Sequence, residues 1–374
     1  MEKVGCYIHI PFCQKKCYYC DFCAYMNVET RIDSYIKNLI KEIRLYQDRL
    51  SVDIDSIYIG GGTPSYIDPR YIKEIVDEVS KFKISDLKEF TIECNPNSIS
   101  QDKLLLYRDL GINRISLGVQ SFDDRVLKAI GRNHTANIAL NDIELIRKIG
   151  FDNLSFDLML NLPQQNYKSV KKDLDLVKKI SPEHISWYSL ILEEGSRFYS
   201  LDKKGKLDLM DDDQEVDIFN EIVEQLENIG LHRYEISNFA KKGKDSYHNK
   251  KYWEANGYIA FGMSASGYLT NYRYTNTKNF IQYNDRINDY KLPIEDYYYV
   301  DKAEREKEYI IFKLRETEGI NLEEFKEKFA CDFIEKYSKE IEKFEGQNFF
   351  IIDTHFKFSQ EGMNLSNEFL RLII

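Results

Sequence analysis

The chain has 374 residues, a formal net charge of −10, and 43% hydrophobic and 30% charged residues. This balance is typical of a globular protein with one large domain and a smaller one, and the net acidity argues against bulk nucleic-acid binding. Since no apolar run approaches the roughly 18 residues that span a bilayer, and residues 1–10 do not resemble a signal peptide, a cytoplasmic location is expected. The seven cysteines are then expected to be thiols or metal ligands rather than disulfides.

Short β-rich runs alternate with amphipathic segments through the first 240 residues. Seven strands are predicted, at Gly5–Ile10, Ile54–Ile59, Glu89–Glu93, Arg114–Val119, Leu154–Leu158, His184–Tyr188 and Arg233–Ile236. Helices are predicted at Arg31–Leu50, Pro69–Phe82, Ser100–Leu110, Thr135–Ile149, Val170–Lys179 and Asp213–Ile229. Asp68 is expected to cap the second helix and Gly150 to end the fourth. Because repeated βα units require parallel strands, the expected fold is α/β, a partial TIM-like (βα) barrel of about six units.

The pattern changes after about residue 240. Residues 241–298 are polar and aromatic and contain the run His248-Asn249-Lys250-Lys251-Tyr252-Trp253. Residues 299–374 predict a small α+β domain that resembles a winged helix. Its helices are expected at Asp301–Thr317, Leu322–Phe329 and Phe333–Phe344, and its strands at Phe349–Asp353 and His355–Phe358. The predicted domains are therefore 1–240, 241–298 and 299–374; the last lacks a basic helix, so a lid or partner-docking role is expected rather than nucleic-acid binding.

Ligand-capable residues follow five successive predicted strands. The first runs from His9 into a cysteine-rich loop, and the second runs into Gly60-Gly61-Gly62-Thr63. Glu93 ends the third strand, Gln120 follows the fourth and Asp157 lies in the fifth. In βα barrels the chemistry lies at the carboxyl ends of the strands, so these residues are expected to share one site.

Four of the seven cysteines fall between positions 13 and 23. Three intervening residues separate Cys13 from Cys17, and two separate Cys17 from Cys20, a spacing that can turn three thiolates toward one iron–sulfur cluster. Three protein ligands leave one iron open to chelate a small molecule. On spacing alone, a zinc site with Cys23 or His9 as the fourth ligand, or a set of unrelated thiols, stays open.

The three-cysteine spacing, with Tyr19 directly before the third cysteine, resembles the signature of the radical S-adenosylmethionine superfamily. Residues 7–22, with Gly60–Ser65, Glu93–Pro96, Gly118–Phe122 and Asp157–Met159, resemble the oxygen-independent coproporphyrinogen III oxidase family. The resemblance implies a 4Fe–4S cluster on Cys13, Cys17 and Cys20. It also implies an S-adenosylmethionine site formed by Tyr7, Gly61, Gly62, Thr63, Glu93, Gln120, Arg132 and Asp157. The glycine run is expected to approach this ligand closely and to expose N–H donors.

Two departures separate the chain from the oxidase. Phe22 stands where the oxidase carries a fourth cysteine, and only six residues precede Tyr7, so the N-terminal extension of the oxidase is not expected here. Both features resemble the HemW-type branch, described as heme chaperones, and the run from His248 to Trp253 matches the HNxxYW motif of that branch. Ser264 and Ser266 stand where the branch has Gly and His.

The branch resemblance implies heme or porphyrin as a further ligand, with His248 as a candidate axial ligand and Tyr252 and Trp253 packed on the ring. It also implies heme-accepting proteins as partners and an electron donor such as a flavodoxin or ferredoxin. Reductive cleavage of S-adenosylmethionine is expected. Coproporphyrinogen III oxidation, another porphyrin-directed radical reaction and a metal-binding regulatory protein stay as alternatives. A monomer, a homodimer and a peripheral membrane association are all left open.

Overall fold

Twelve strands form one sheet in the computed structural model, which describes residues 1–373. In chain order they are β1 (Glu2–Ile10), β2 (Val52–Gly61), β3 (Glu89–Cys94), β4 (Arg114–Gln120), β5 (Leu154–Leu160), β6 (His184–Ser189), β7 (His232–Arg233), β8 (Asn238–Ala240), β9 (Tyr258–Phe261), β10 (Ser266–Leu269), β11 (Tyr272–Asn276) and β12 (Ile294–Tyr299). Their spatial order is β12-β11-β10-β9-β1-β2-β3-β4-β5-β6-β8-β7. The first six strands are therefore neighbours in chain order, and each pair of them is parallel.

Helices connect the strands of this sheet. They are α1 (Ile32–Gln47), α2 (Pro69–Val79), α3 (Gln101–Asp109), α4 (Asp124–Ala129), α5 (Ala136–Ile149), α6 (Tyr167–Ile180), α7 (Arg197–Asp202), α8 (Asp212–Glu227), α9 (Tyr247–Trp253) and α10 (Phe280–Asn288). One or two helices follow each of β1 to β6, and short 3₁₀ turns lie at Glu29–Arg31 and Pro64–Tyr66. The predicted partial barrel of six βα units is confirmed. Throughout residues 1–373, every helix is too short or too polar to cross a bilayer.

Local chemistry explains where these elements begin and end. Asp68 caps α2, because its side chain accepts a hydrogen bond from the Arg70 amide at 3.0 Å while Pro69 occupies the first turn. Gly150 ends α5 with φ at 100°, a left-handed conformation that favours glycine. Every residue of β4 is buried, as expected for a parallel strand covered on both faces.

The seventh predicted strand is wrong in extent and in direction. β7 contains only His232 and Arg233, and it pairs antiparallel with β8. The chain turns back here because the Arg233 guanidinium donates two hydrogen bonds to the Ile236 carbonyl, at 3.1 and 2.7 Å. A strand that the sequence did not predict, β9, instead extends the parallel part of the sheet by pairing with β1.

The strands of residues 241–298 thus belong to the main sheet, and the predicted division into three domains stays a prediction. Residues beyond 300 form a separate apolar core that includes Phe325, Phe356 and Phe369. Its elements are α11 (Lys302–Lys313), β13 (Ile320–Asn321), α12 (Leu322–Phe329), α13 (Phe333–Lys336), α14 (Ser338–Glu342), β14 (Phe350–Ile352), β15 (His355–Phe358), α15 (Gln360–Asn364) and α16 (Ser366–Ile373). The third predicted helix is broken at Tyr337, whose backbone leaves the helical region with φ −106° and ψ 21°.

Candidate functional site

The carboxyl ends of the parallel strands surround an open cleft, here called the cluster cleft. Ten of the twelve predicted site residues line it: Cys13, Cys17, Cys20, Gly61, Gly62, Thr63, Glu93, Gln120, Arg132 and Asp157. They come from six separate segments of the chain, so the parallel topology brings them together. Tyr7 and His248 lie elsewhere.

Backbone hydrogen bonds from the glycine run hold the start of the cysteine loop. The Gly62 and Thr63 amides donate to the carbonyls of Ile10 and Phe12, each at 2.9 Å. A Cβ atom on Gly62 would lie 2.8 Å from the Phe12 carbonyl oxygen, so only glycine fits this close approach. The Gly61 amide donates to Glu93 at 3.1 Å. The expectation that this run exposes N–H donors is therefore not met at Gly61, Gly62 and Thr63, whose amides are all bonded within the protein.

The cysteine thiols lie beside a hydroxyl and a guanidinium. Cys13 Sγ is 3.4 Å from Thr63 Oγ1, and Arg132 Nη1 donates to Cys17 Sγ at 3.3 Å. Burial, with a smaller contribution from the neighbouring Cys17 thiol, raises the pKa of Cys20 to about 11 against the lowering effect of a hydrogen bond from the Phe22 amide. The Cys20 thiol therefore favours its protonated form, and a metal bound there would displace the proton.

The spacing of the thiols bears on the choice between a cluster and a single ion. Within residues 1–373, no three His, Cys, Asp or Glu side chains converge tightly enough to hold one metal ion. An iron–sulfur cubane binds each thiolate at a separate iron, so it does not require three sulfurs to meet at one point. The choice of a cluster rather than a zinc ion on these thiols stays a prediction.

Two half-buried carboxyl groups, those of Glu93 and Asp157, also line the cluster cleft. Glu93 accepts a hydrogen bond from the Tyr58 hydroxyl at 2.8 Å as well as the one from Gly61. Burial raises the pKa of Glu93 to about 7, and the charge of Asp157 adds to this rise. Burial also raises the pKa of Asp157 to about 6, opposed by a hydrogen bond from Ser186. A cationic ligand placed between them would stabilise the charged form of both groups.

Arg132 and Gln120 reach the cleft through irregular backbone. The Arg132 guanidinium donates to Asn95 Oδ1 at 2.9 Å and to the Gly118 carbonyl. The pairing of β4 with β5 shifts register between Gly118 and Gln120, and Gln120 takes a left-handed φ of 71°. Such a bulge re-aims the side chain at the strand end, which places Gln120 in the cleft wall.

Tyr7 does not line the cluster cleft but contacts Tyr58, which is bonded to a residue of the cleft wall. Its ring stacks on Tyr58 with the centroids 6.2 Å apart, and Tyr58 in turn bonds to Glu93. The Tyr7 hydroxyl is hydrogen-bonded to His9 Nδ1 at 3.0 Å. Tyr7 therefore supports the carboxylate wall rather than lining the cleft.

His248 is buried in the protein interior with only 1% of its surface exposed. Its Nδ1 is 2.9 Å from the Ser56 hydroxyl and its Nε2 is 2.8 Å from the Tyr252 hydroxyl. Both ring nitrogens are thus engaged, and ligation of a heme iron would break one of these hydrogen bonds and open α9. The axial role of His248 stays a prediction, and the hydrogen bonds at both ring nitrogens argue against it.

A second opening, here called the aromatic cleft, adjoins the cysteine loop. Tyr7, Phe22, Tyr252, Trp253 and Tyr258 line it, together with Cys23, Ser264 and Ser266. Phe22 is 64% exposed and lines both clefts. Ser264 has a left-handed φ of 61°, a conformation that glycine adopts more easily.

Sequence reasoning gave no role to two residues of the cluster cleft. Tyr188 lines the cleft at the end of β6, and its hydroxyl donates to Gln120 Oε1 at 3.4 Å. Asn95 donates to Thr63 Oγ1 at 2.9 Å and accepts from Arg132. The strand-end rule, applied to the sixth predicted strand as it was to the first five, would have found Tyr188.

Comparison with known proteins agrees with this geometry. Residues 7–177 match the radical SAM superfamily, and residues 300–365 match the HemN C-terminal domain. The heme chaperone HemW of Bacillus subtilis is 38% identical over 327 residues, which cover 87% of this chain and 86% of that protein. The chain belongs to the HemW family of radical SAM proteins. The family resemblance read from the cysteine loop is confirmed.

Another HemW-family relative and one solved structure extend the match over the whole chain. The heme chaperone HemW of Lactococcus lactis is 34% identical, with 96% of this chain and 94% of that protein covered. The solved structure of coproporphyrinogen III oxidase (HemN) from Escherichia coli is 20% identical in sequence and matches with a TM-score of 0.87. The match covers 100% of this chain and 90% of the chain in that structure. This likeness establishes a shared fold, including the part beyond residue 300.

Proposed function

We propose that this HemW-family protein holds a 4Fe–4S cluster on Cys13, Cys17 and Cys20, binds S-adenosylmethionine in the cluster cleft, and binds heme for delivery to heme-accepting proteins. The observation that carries the proposal is that three thiols and seven further predicted residues line one cleft. Both HemW relatives described above carry the name heme chaperone.

The chemistry that such a cluster supplies is one-electron reduction of the sulfonium of S-adenosylmethionine. The protein's residues contribute binding and orientation. Arg132 lies beside the Cys17 sulfur and offsets thiolate charge, while Glu93 and Asp157 face a ligand that carries a sulfonium and an ammonium. Because the amides of residues 61–63 are all used, their backbone would contact the ligand's amino group through carbonyl oxygens.

The aromatic cleft is the proposed place for the heme ring. Tyr252 and Trp253 of the HNxxYW run line this cleft beside Phe22, so a flat apolar ring would pack against several aromatic faces. Phe22 also borders the cluster cleft, which would put heme next to S-adenosylmethionine.

The proposal includes a cytoplasmic location, a flavodoxin or ferredoxin as electron donor, and residues 299–374 as a lid or docking domain.

Anaerobic reconstitution followed by heme titration tests the proposal. We expect about four irons per chain, with the visible absorbance of an iron–sulfur cluster, and a shifted Soret band when heme is added. One zinc per chain with no iron uptake would overturn the cluster. Turnover of coproporphyrinogen III without heme binding would instead support the oxidase alternative.

A further inference from the structure

A third opening lies between the end of β6 and the C-terminal helices. Tyr188 lines both this opening and the cluster cleft, so the two adjoin. Its other walls come from α8, the β7–β8 turn, the end of α11, α15 and α16. Arg233 and Arg315 both line it, and we call it the arginine cleft.

Arg233 carries an unpaired donor in this cleft. Only 8% of the surface of Arg233 is exposed. The Nε and Nη2 atoms of its guanidinium donate to the Ile236 carbonyl. Its Nη1 is buried and has no hydrogen-bond partner among the described residues. Buried donors on charged groups are nearly always paired, so this nitrogen points to a missing acceptor.

Arg315, which lines the same cleft, also carries an unpaired donor. Its Nε is also buried and unpartnered within the described chain, and its Nη2 lies 4.0 Å from Glu235 Oε2. The guanidinium stacks over the ring of Trp253, with its carbon 4.8 Å from the ring centre. Trp253 lines the aromatic cleft, so Arg315 stands at the boundary between the arginine cleft and the proposed heme site.

The remaining lining of the arginine cleft combines apolar and polar surface. Ile191 is 68% exposed and Val216 is 41% exposed, so both present uncovered hydrocarbon. Glu215 also lines the cleft, and its carboxylate accepts a hydrogen bond from Asn161, just after β5. A fitting ligand therefore has an apolar body and carboxylate groups.

We infer that the arginine cleft binds the propionate carboxylates of a tetrapyrrole through Arg233 and Arg315. This inference rests on the proposed heme function and adds which groups of the ligand the protein recognises. Guanidinium forks match carboxylates in geometry and charge, and the two arginines that line this cleft would supply both. Arg315 over Trp253 then links carboxylate recognition to ring packing.

Titration with ferric heme and with its dimethyl ester, in which both carboxylates are blocked, tests the inference. The reconstituted full-length protein is expected to bind heme about tenfold more tightly than the ester. Arg315→Met should lose this preference by weakening heme binding about tenfold while leaving ester binding unchanged. Arg233→Lys keeps the charge and loses the fork, so it should lose part of the preference. Arg305→Met, in α11 ten residues earlier and outside the cleft, serves as the matched control.

The outcomes separate this inference from the proposed function. Equal affinity of the unmodified protein for heme and ester, or a full preference retained by folded Arg315→Met, would overturn the inference and leave heme binding intact. Failure of the unmodified protein to bind either compound would overturn heme binding and the inference with it. Thermal unfolding of each variant establishes that it is folded.

Discussion

The cysteine loop and helix α9 both carry polar side chains close to the first two strands. The surroundings of the two sets of side chains differ. Around the loop, the Cys13, Cys17 and Cys20 thiols face an open cleft. In α9, both nitrogens of His248 are bonded to hydroxyls and the ring is covered. A polar cluster that faces open space indicates a ligand, whereas a fully satisfied buried network indicates a structural role.

The largest expected effect is the loss of iron on substitution in the loop. Cys20→Ala should lower the iron content of reconstituted protein from about four per chain to near zero, because two thiolates do not retain the cluster. Cys23→Ala is the matched control, three residues further along and outside the predicted ligand set, and should keep its iron. Iron loss in Cys23→Ala with retention in Cys20→Ala would reverse the ligand assignment.

The comparison also predicts that His248→Ala acts on stability rather than on heme. The substitution leaves the Ser56 and Tyr252 hydroxyls without their partner and opens a cavity, so the free energy of unfolding should fall by about 4 kcal/mol. Denaturant unfolding measures this loss, and His232→Ala, at an exposed site, should change stability little. Weakened heme binding in a stable His248→Ala protein would restore the axial-ligand role.

Glu42 and Glu93 offer the same contrast within one residue type. Burial raises the pKa of each to about 7, but Glu93 lines the cluster cleft whereas Glu42 lies in a closed network with Gly262, Asn276 and Tyr283. A folded pKa above the ordinary 4.5 means that the native state holds its proton more tightly. Stability from this group is therefore present below about pH 4.5 and is lost as pH rises to about 7.

In Glu42→Gln, the free energy of unfolding measured between about pH 4.5 and pH 7 should lack the decrease that Glu42 causes in the unmodified protein. The difference in unfolding free energy between the two proteins should change by about 3 kcal/mol from pH 4.5 to pH 7, because the unmodified protein becomes less stable relative to the variant as the pH rises. A difference that does not vary with pH would show that the buried carboxyl titrates normally.

The smallest expected effect is on S-adenosylmethionine affinity. Glu93→Gln keeps the shape of the side chain and removes a negative charge beside a cationic ligand, so the Kd should rise about tenfold, or about 1.4 kcal/mol. Isothermal titration of reconstituted protein measures it, and Glu42→Gln should leave the Kd unchanged. Equal weakening in both variants would mean that burial alone, rather than position in the cleft, explains the effect.

Local sequence signals predicted the first six strands and most of the cluster cleft. Strands such as Arg114–Gln120 are continuous runs buried on both faces, and polar residues at their ends meet because the strands are parallel. β9 escaped prediction because its strand character depends on pairing with β1, about 250 residues earlier in the chain. The arginine cleft was equally hidden, since it requires Arg233 and Arg315 to be brought together by the fold.

The hydrogen bonds from Gly62 and Thr63 to the carbonyls of Ile10 and Phe12 also bear on the order of assembly. Ordering a residue costs about 1–2 kcal/mol of conformational entropy, and here two backbone hydrogen bonds that involve no thiol offset part of this cost at the start of the loop. Zinc fingers behave differently, because metal binding and folding are a single event there. We therefore expect the metal-free chain to reach its native fold first and to receive iron and sulfide as a folded acceptor.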